Sequence, residues 1–325
     1  MKMGETNTGT SSNLRQGHIG HVSQTLIYLG KLFRMFIFQN DWKVLPMSAV
    51  IAGLVSFTVG KNLFVSMEGT GTAAFAYACI CVWNGFFNSI QSVCRERPIV
   101  KREHRSGLHI SSYIVAHMIY QAFLCALQAG IIILVCYFMK VKLPQDALVV
   151  RNATIEFGIT LFLITYCSDM LALLVSTIAK TTTAAMTIMP FLLIVQLLFF
   201  GAFFSLPEKV MPFTNLTTTK WGLTAICAEG DYNSLPMVSL WNSAYKLKHI
   251  KMEGDTEPFA IVFDYIEEHD LRDEIILKSA ELNQNENYKH DALVVYKCWA
   301  MLIAWTLIYV GASTLILEFI DKDRR

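Results

Sequence analysis

Charged side chains with a regular spacing are concentrated in one short segment, residues 94–107, between two apolar runs. The segment holds five Lys or Arg residues, and Glu96 and Glu103 stand seven positions apart. Seven residues make two turns of an α-helix, so both glutamates share one helix face. Charged groups on such a face form strong hydrogen bonds with a protein partner. The pattern predicts an amphipathic helix that docks on a cytosolic partner. A simpler interpretation of the same residues is a solvated basic loop.

Ionisable residues inside apolar runs are a second set of candidates, because charge within a membrane is rare and often functional. Asp169 and His117 lie inside such runs, and Glu156 lies at the end of one. Proton relays typically have paired acidic or histidine residues near the middle of the membrane, and this sequence has few ionisable residues there. These three residues support an alternative hypothesis, an ion-coupled carrier or a membrane-embedded enzyme.

Other site chemistries find no support in the sequence. The segments Gly30-Lys31-Leu32 and Gly60-Lys61-Asn62 lack the Ser/Thr and the upstream glycine of a phosphate-binding loop. The eight cysteines are scattered and include no Cys-x-x-Cys pair, which argues against zinc and against a disulfide framework. A net charge of +1 gives no case for binding nucleic acid. We therefore expect no catalytic residue, metal or cofactor in this chain.

The apolar runs that position these residues are long enough to cross a bilayer. Hydrophobic residues make up 54% of the 325, and mean hydropathy is +0.41. A membrane-spanning helix needs roughly 20 apolar residues. Six segments meet this pattern: Leu45 to about Phe64, Gly71 to Val93, Ile110 to Met139, Phe157 to Ala179, Ala184 to Phe204, and Ala292 to Leu317. The predicted fold class is all-α, a polytopic membrane protein with six transmembrane helices.

The termini and loops predict the topology. Residues 1–22 are polar and predict a disordered cytoplasmic tail. Residues 23–43 predict an amphipathic helix in the membrane interface, and the alternative is a helix packed on a soluble partner. With the N-terminus inside, the inner segments hold fourteen Lys or Arg residues and the short outer loops hold four. Both termini are therefore predicted to be cytoplasmic. Residues 205–291 become a long outer loop, predicted to fold as a small helical cap.

The charged segment also resembles a known family. The run Glu96-Arg97-x-x-x-x-Arg102-Glu103, followed by Ser106-Gly107 and Ser111-Ser112-Tyr113, resembles ABC exporters of the G subfamily, the white and pleiotropic-drug-resistance type. Phe200-Gly201-Ala202-Phe203 and Lys220-Trp221-Gly222 are similar to that family's apolar stretch after the fifth span and its short re-entrant helix. The resemblance covers residues 44–325 as a six-span transmembrane domain and 23–43 as its connecting helix.

The resemblance implies a role for each matching residue. Glu96, Arg97, Arg102 and Glu103 would belong to the coupling helix that contacts an ATPase. Cys81, Asn84, Ile194 and Leu197 would line the substrate path, and Ala202 and Phe203 would form the outer seal, where the family often has a leucine pair. The same amide of Asn84 could instead serve a plain hydrogen bond between helices.

The function implied is that of the permease subunit of an ATP-driven exporter in the plasma or cytoplasmic membrane. It would move an amphipathic or lipid-like substrate out of the cytoplasm, paired with a second membrane half as a homodimer or heterodimer. Most family members fuse an ATPase to this region, and we expect a separate nucleotide-binding partner here. ATP and Mg²⁺ would be bound by that partner.

Overall fold

The structure is a computed structural model that describes residues 20–38, 41–200, 209, 211–250 and 257–319. Most of the predicted N-terminal tail, the predicted seal at Ala202 and Phe203, and the last six residues lie outside these ranges. Twelve α-helices occur in the described part: α1 His21–Phe38, α2 Val44–Thr58, α3 Met67–Ser89, α4 Ser92–Arg105, α5 Ile110–Phe138, α6 Ala153–Ile178, α7 Thr182–Leu198, α8 Thr218–Glu229, α9 Val238–Tyr245, α10 Pro258–Glu268, α11 Arg272–Leu282 and α12 Ala292–Glu318.

Four helical segments of the described chain are long and apolar enough to cross a membrane. They are α3 with its continuation α4, α5, α6 and α12. The predicted second, third, fourth and sixth segments agree with α3, α5, α6 and α12 to within about four residues at each end. The two remaining predicted segments correspond to α2, with 15 residues, and α7, with 17. At 1.5 Å per residue, these two helices are about 22 and 26 Å long, shorter than the roughly 30 Å hydrocarbon core.

The centre of the bundle is the contact between α3 and α6. Gly85 permits it, because a Cβ at this position would lie 2.4 Å from the carbonyl oxygen of Thr165 and 2.7 Å from the backbone nitrogen of Asp169. Small residues of this kind let two membrane helices approach closely. The core on either side is apolar and includes Tyr77, Phe86 and Leu161, each fully buried.

At the end of the bundle opposite α4 lies α8, which is buried on every side. Every residue of this 12-residue helix except Lys220 is buried, and it packs against α3, α6 and α12. Gly222 lies against Ile164, where a Cβ would come within 2.6 Å of the side chain. Apart from Lys220, no residue of α8 is left exposed, although the helix also holds three threonines and Glu229. Residues 218–229 of the predicted outer loop are thus a helix packed within the bundle, at the position where the resemblance implies a short re-entrant helix.

Helices α9, α10 and α11 form a separate small unit, here called the three-helix cap (residues 238–250 and 257–282). Its core consists of Trp241, Phe263 and Ile276. The acidic amphipathic stretch 257–282 forms two helices, because the chain turns at Asp270, whose φ is +52°. Such a left-handed conformation is tolerated by Asp and ends a helix. The observed cap is helical, as the polar loop pattern predicted.

Candidate functional site

Helix α4 follows α3 after two residues and presents two different faces. Val93, Cys94, Glu96 and Val100 are buried, whereas Pro98, Ile99 and Arg102 are exposed. Its first N–H groups have no partner within the helix, a general property of helix N-termini. The hydroxyl of Ser176 on α6 accepts from two of them, Val93 N at 3.0 Å and Cys94 N at 3.1 Å. The start of α4 is thereby fixed to the end of α6.

Glu96 ties α4 to α1. Its Oε1 lies 3.3 Å from Nζ of Lys31, and the carboxylate side chain is 8% exposed while the lysine is 35% exposed. A carboxylate this deeply buried requires a cation to offset its loss of hydration. Glu96 therefore faces the interior, where Lys31 of α1 covers it.

Arg97 ties α4 to the end of α6. Its Nη1 donates to the carbonyl oxygens of Thr177 at 2.8 Å and Ala179 at 3.2 Å. The last carbonyls of a helix lack intrahelical donors and carry partial negative charge, so a guanidinium is well matched to them. Together with Ser176, this contact gives α4 two polar links to a single helix end.

The turn between α4 and α5 is held by the start of α1. Gln24 donates from Nε2 to the carbonyl oxygen of Gly107 at 3.1 Å and accepts from the backbone nitrogen of His109 at 2.9 Å. Ser112 donates to the carbonyl oxygen of His21 at 3.1 Å. Gly107 has φ +102°, a conformation that favours glycine. We call α1, α4, the α4–α5 turn and residues 176–179 the α4 assembly.

The four residues predicted to contact an ATPase occupy different environments in the α4 assembly. Glu96 and Arg97 contact α1 and α6, Glu103 is half-buried, and Arg102 is exposed. The docking role of all four stays a prediction. In the structure, Ile99, which is 39% exposed, and Pro98 accompany Arg102 on the outward face of α4. The sequence favours packing of Ile99 on the membrane or on a partner, and it gives no indication for Pro98.

The four predicted substrate-path residues differ in their exposure. Cys81 is fully buried, and Asn84 is 4% exposed and donates to the hydroxyl of Ser48 on α2 at 2.9 Å. The amide of Asn84 therefore makes the hydrogen bond between helices that the sequence left open. Ile194 and Leu197 are 50% and 38% exposed on α7. A path through these four positions stays a prediction.

A buried polar cluster lies between α3, α5 and α6 and includes Asp169. Asn88 and Gln128 exchange hydrogen bonds at 2.9 and 3.0 Å, and Oδ2 of Asp169 accepts from Asn88 at 3.4 Å and from the Cys125 thiol at 3.3 Å. The sequence singled out Asp169 alone. The signal for the rest was present, because Gln121, Cys125 and Gln128 recur at helical spacing on one face of α5.

The other ionisable candidates are separate from this cluster. Glu156 accepts hydrogen bonds from the backbone nitrogens of Leu148, Val149 and Val150 at 2.8–3.0 Å, so it organises a loop. Both ring nitrogens of His117, which is 2% exposed, have no hydrogen-bond partner. No hydrogen bond joins Asp169, His117 and Glu156 to one another in the described chain, and this arrangement does not form a relay.

Glu229 is a further buried carboxylate, at the end of α8, that the sequence reasoning missed. It accepts a hydrogen bond from the hydroxyl of Thr160, which in turn accepts from Nε1 of Trp299 at 2.7 Å. The three residues link α8 to α6 and α12. Oε2 of Glu229 has no hydrogen-bond partner. Among the described residues there is no group of three or more His, Cys, Asp or Glu that could hold a metal ion.

Comparison with known proteins gives two findings. The family described as ABC-2 type transporter matches residues 27–219. A protein of Mycobacterium tuberculosis named as an ABC transporter ATP-binding/permease protein is 26% identical over 153 residues. That match covers 46% of this chain and 18% of the mycobacterial protein, so the chain spans less than a fifth of its relative's length.

Proposed function

The chain belongs to the ABC-2 type transporter family, a family of ABC transporter membrane components, and on this premise we propose that it is the permease of an ATP-driven exporter of the G-subfamily type. A nucleotide-binding partner would bind ATP and Mg²⁺ and supply the energy. ATP-driven export of an amphipathic or lipid-like substrate is the finer part of this proposal. The family match does not favour the alternative of an ion-coupled carrier or a membrane-embedded enzyme.

The observation that carries the proposal is the arrangement of α4. Its inward face is linked by Glu96 and Arg97 to two other helices, while Pro98, Ile99 and Arg102 face outward. A push on the outward face would therefore move α1 and the end of α6 together with α4. This is the mechanical requirement for a lever between a cytosolic motor and a membrane bundle.

The docking surface is tested by reversing its charge. We expect Arg102→Glu to leave the protein folded, since an exposed substitution changes stability by about 0.5 kcal/mol or less. With the nucleotide-binding partner present, it should reduce transport and substrate-stimulated ATP hydrolysis. Arg272→Glu, the same change at an exposed residue of α11, is the matched control and should be silent. Equal transport by both variants and wild type would overturn the docking role.

If α2 and α7 also cross the membrane, the chain crosses it six times and both termini lie on the same side, which we propose is the cytoplasm. Both could do so with their flanking residues, since α2 is preceded by the turn Asp41–Lys43 and followed by Gly60–Asn62. The excess of Lys and Arg around α4 supports placing that end in the cytoplasm. The three-helix cap then lies outside.

Orientation is tested by cysteine accessibility. A cysteine replacing exposed Ser106, at the end of α4, should react with a membrane-impermeant maleimide only after permeabilisation, and one replacing Asp270 in the cap should react in intact cells. The native cysteines give a low background, because seven of the eight are buried. The reverse labelling pattern would invert the topology and remove α4 from the cytosol.

Pairing of two membrane halves would use the exposed apolar faces of α3 and α7. Trp83 and Phe87 on α3 are 42% and 46% exposed, and Ile194 and Leu197 project from α7. A central path bounded by these side chains would be apolar, which suits an amphipathic substrate. In this arrangement Ile194 and Leu197 line the path, while Cys81 and Asn84 support it from behind.

A further inference from the structure

The side chain of Lys220 on α8 is held beside the middle of α12. Its Nζ donates to the hydroxyl of Thr214 at 2.9 Å and to Oδ1 of Asn215 at 2.7 Å. The carbonyl oxygen of the same Asn215 accepts from Nε1 of Trp305 at 3.2 Å, and Trp305 is the fourteenth of the 27 residues of α12. The ammonium group is therefore held near the midpoint of a helix that is long and apolar enough to cross a membrane.

The charge of Lys220 is not neutralised within the described chain. Both of its hydrogen-bond acceptors are uncharged, and so is the ring of Trp221, whose centroid is 5.6 Å from Nζ. Glu229 stands nine residues further along α8, about 13 Å on the helix axis, and its carboxylate accepts from Thr160. Ionisable residues at membrane depth are costly and usually have a partner charge or a function. Lys220 thus lacks the anion that its position calls for.

A second ammonium group lies nearer the end of the bundle at which α12 begins. Lys297 is the sixth residue of α12, about 12 Å along the helix axis from Trp305. It is exposed and has no hydrogen bond or ion pair in the part of the chain that the structure describes. It lies near enough to Lys220 for the two positive charges to repel each other. Two cations without a carboxylate between them create a positive potential that favours an anion.

The surface beside the two ammonium groups combines one further donor with apolar side chains. Asn215 is exposed, and its Nδ2 makes no hydrogen bond within the described residues. Phe213 and Leu216, in the turn Met211–Leu216 that leads into α8, are 57% and 47% exposed. The amide and ammonium groups offer donors to a negatively charged group, and the apolar side chains suit a hydrocarbon chain next to it.

We propose that Lys220 and Lys297 bind the anionic head group of an amphiphile at the contact between α8 and α12. An ionised sulfonate or phosphate has several acceptor oxygens and matches the ammonium and amide donors. The amphiphile can be a membrane lipid or a free alkyl anion. Binding requires neither the ATPase partner nor the second half, whereas the view that the bound anion is the exported substrate rests on the proposed function.

The test uses a photoreactive dodecanesulfonate that carries a diazirine in its chain, added to the full chain in phosphatidylcholine nanodiscs. We expect saturable labelling of peptides from residues 211–230 or 292–309. Unlabelled dodecanesulfonate should compete, whereas dodecanol and dodecyltrimethylammonium should not. Equal competition by dodecanol, or labelling confined to other segments, would overturn the proposal. Because the assay contains no ATPase, its failure would leave the export proposal standing.

Single substitutions assign the binding to the two lysines. Lys297→Met changes an exposed residue, so the protein should fold as wild type while its affinity for dodecanesulfonate falls roughly tenfold, the usual effect of one lost charge-assisted hydrogen bond. Lys220→Met should weaken binding at least as much, and Lys220→Arg, which keeps the charge, should retain most of it. Lys289→Met removes an exposed ammonium group three residues before α12 and is the matched control, expected to bind as wild type.

The lipid composition of the nanodisc identifies the source of the amphiphile. Replacing part of the phosphatidylcholine with phosphatidylglycerol adds a lipid with an anionic head group. If this lipid occupies the site, labelling should fall more in wild type than in Lys297→Met, because general repulsion by a negatively charged bilayer acts on both. An equal decrease in both indicates that the site takes a free alkyl anion. Wild-type labelling by both Lys220→Met and Lys297→Met would refute the site.

Discussion

The α4 assembly and the three-helix cap are both helical and charged, but they are held together in opposite ways. Polar links in the α4 assembly join residues that are far apart in the chain, such as Lys31 with Glu96 and Arg97 with Thr177. The cap has its own apolar core of Trp241, Phe263 and Ile276. Its contacts with the bundle include Glu68, whose Oε1 accepts from the backbone nitrogen of Ser239 at 2.9 Å and from its hydroxyl at 2.7 Å.

Charge in the cap serves local order. Lys248 donates to Asp264 at 2.8 Å and to Glu267 at 3.3 Å, and the hydrogen bond to Asp264 raises the pKa of Lys248 above its usual value. Lys278 pairs with Glu274 one turn earlier in the same helix at 2.7 Å. Such pairs stabilise a unit without tying it to the bundle. From this difference we predict that a displacement of α4 would be passed to α1 and α6, and that the cap would fold largely by itself.

The largest energetic effect is expected in the cap, with little consequence for transport. Trp241→Ala removes a 7%-exposed ring that packs edge-on against Phe263 at 5.4 Å, and it should destabilise the cap by about 3–5 kcal/mol. Hydrogen exchange should rise in 238–282 while the bundle keeps its Tm and transport continues. The adjacent Leu240→Ala, at a residue 52% exposed, is the control and should be mild. A fall of the Tm of the whole protein would show that the cap is not independent.

A smaller loss of stability in the α4 assembly should have the larger functional effect. Arg97→Met removes two hydrogen bonds to the end of α6 and should lower stability by about 1.5–3 kcal/mol. Basal ATP hydrolysis by the partner should persist while transport falls, because α4 would keep only its link through Ser176 to the end of α6. Arg102→Met keeps these links and is the stability control, expected within about 0.5 kcal/mol of wild type. Coupled transport in Arg97→Met would contradict the lever.

The smallest change in stability is expected at the α4–α5 turn, where a glycine should respond to substitution differently from a glycine inside a helix. Gly107→Ala places a Cβ at φ +102° and should lower stability by roughly 1–2 kcal/mol, although open space surrounds the site. Gly130→Ala, inside α5 and equally open, should raise stability by roughly 0.5–1 kcal/mol. Thermal unfolding of both variants measures the difference. The same sign for both would mean that the turn does not require glycine.

The sequence predicted the long helices well because their signal is local. Polar or charged residues flank α5, α6 and α12, so apolar run length alone sets their ends. The helical nature of 94–107 was also predicted, since its spacing is local too. The family resemblance indicated the short helix at Lys220-Trp221-Gly222, but its complete burial depends on α3, α6 and α12 and could not be read from 12 residues.

The orientation of side chains depends on residues that are distant in the chain, so it was harder to predict from the sequence. Glu96 and Glu103 share a face, as the spacing predicted, yet which way that face points is set by Lys31 and by the end of α6. His117 and Gln121 line a cavity together with residues of α1, α2, α3, α4 and α7, so no single segment carries its pattern. Whether a side chain faces inward or outward can be known only from the tertiary structure, whereas the presence of a helix can be predicted from the local sequence.

The burial of α8 has a consequence for biosynthesis. A 12-residue helix is too short to be inserted as an independent membrane segment, and it finishes its packing only against α12, which ends at Glu318. About 90 residues separate the ends of these two helices, which at ordinary translation rates is a delay of roughly 5–20 s. During that interval the apolar surface of α8 lacks its last neighbour. Synthesis of α12 is thus the step that closes this end of the molecule, and chains truncated before it should be recognised as unfinished and degraded.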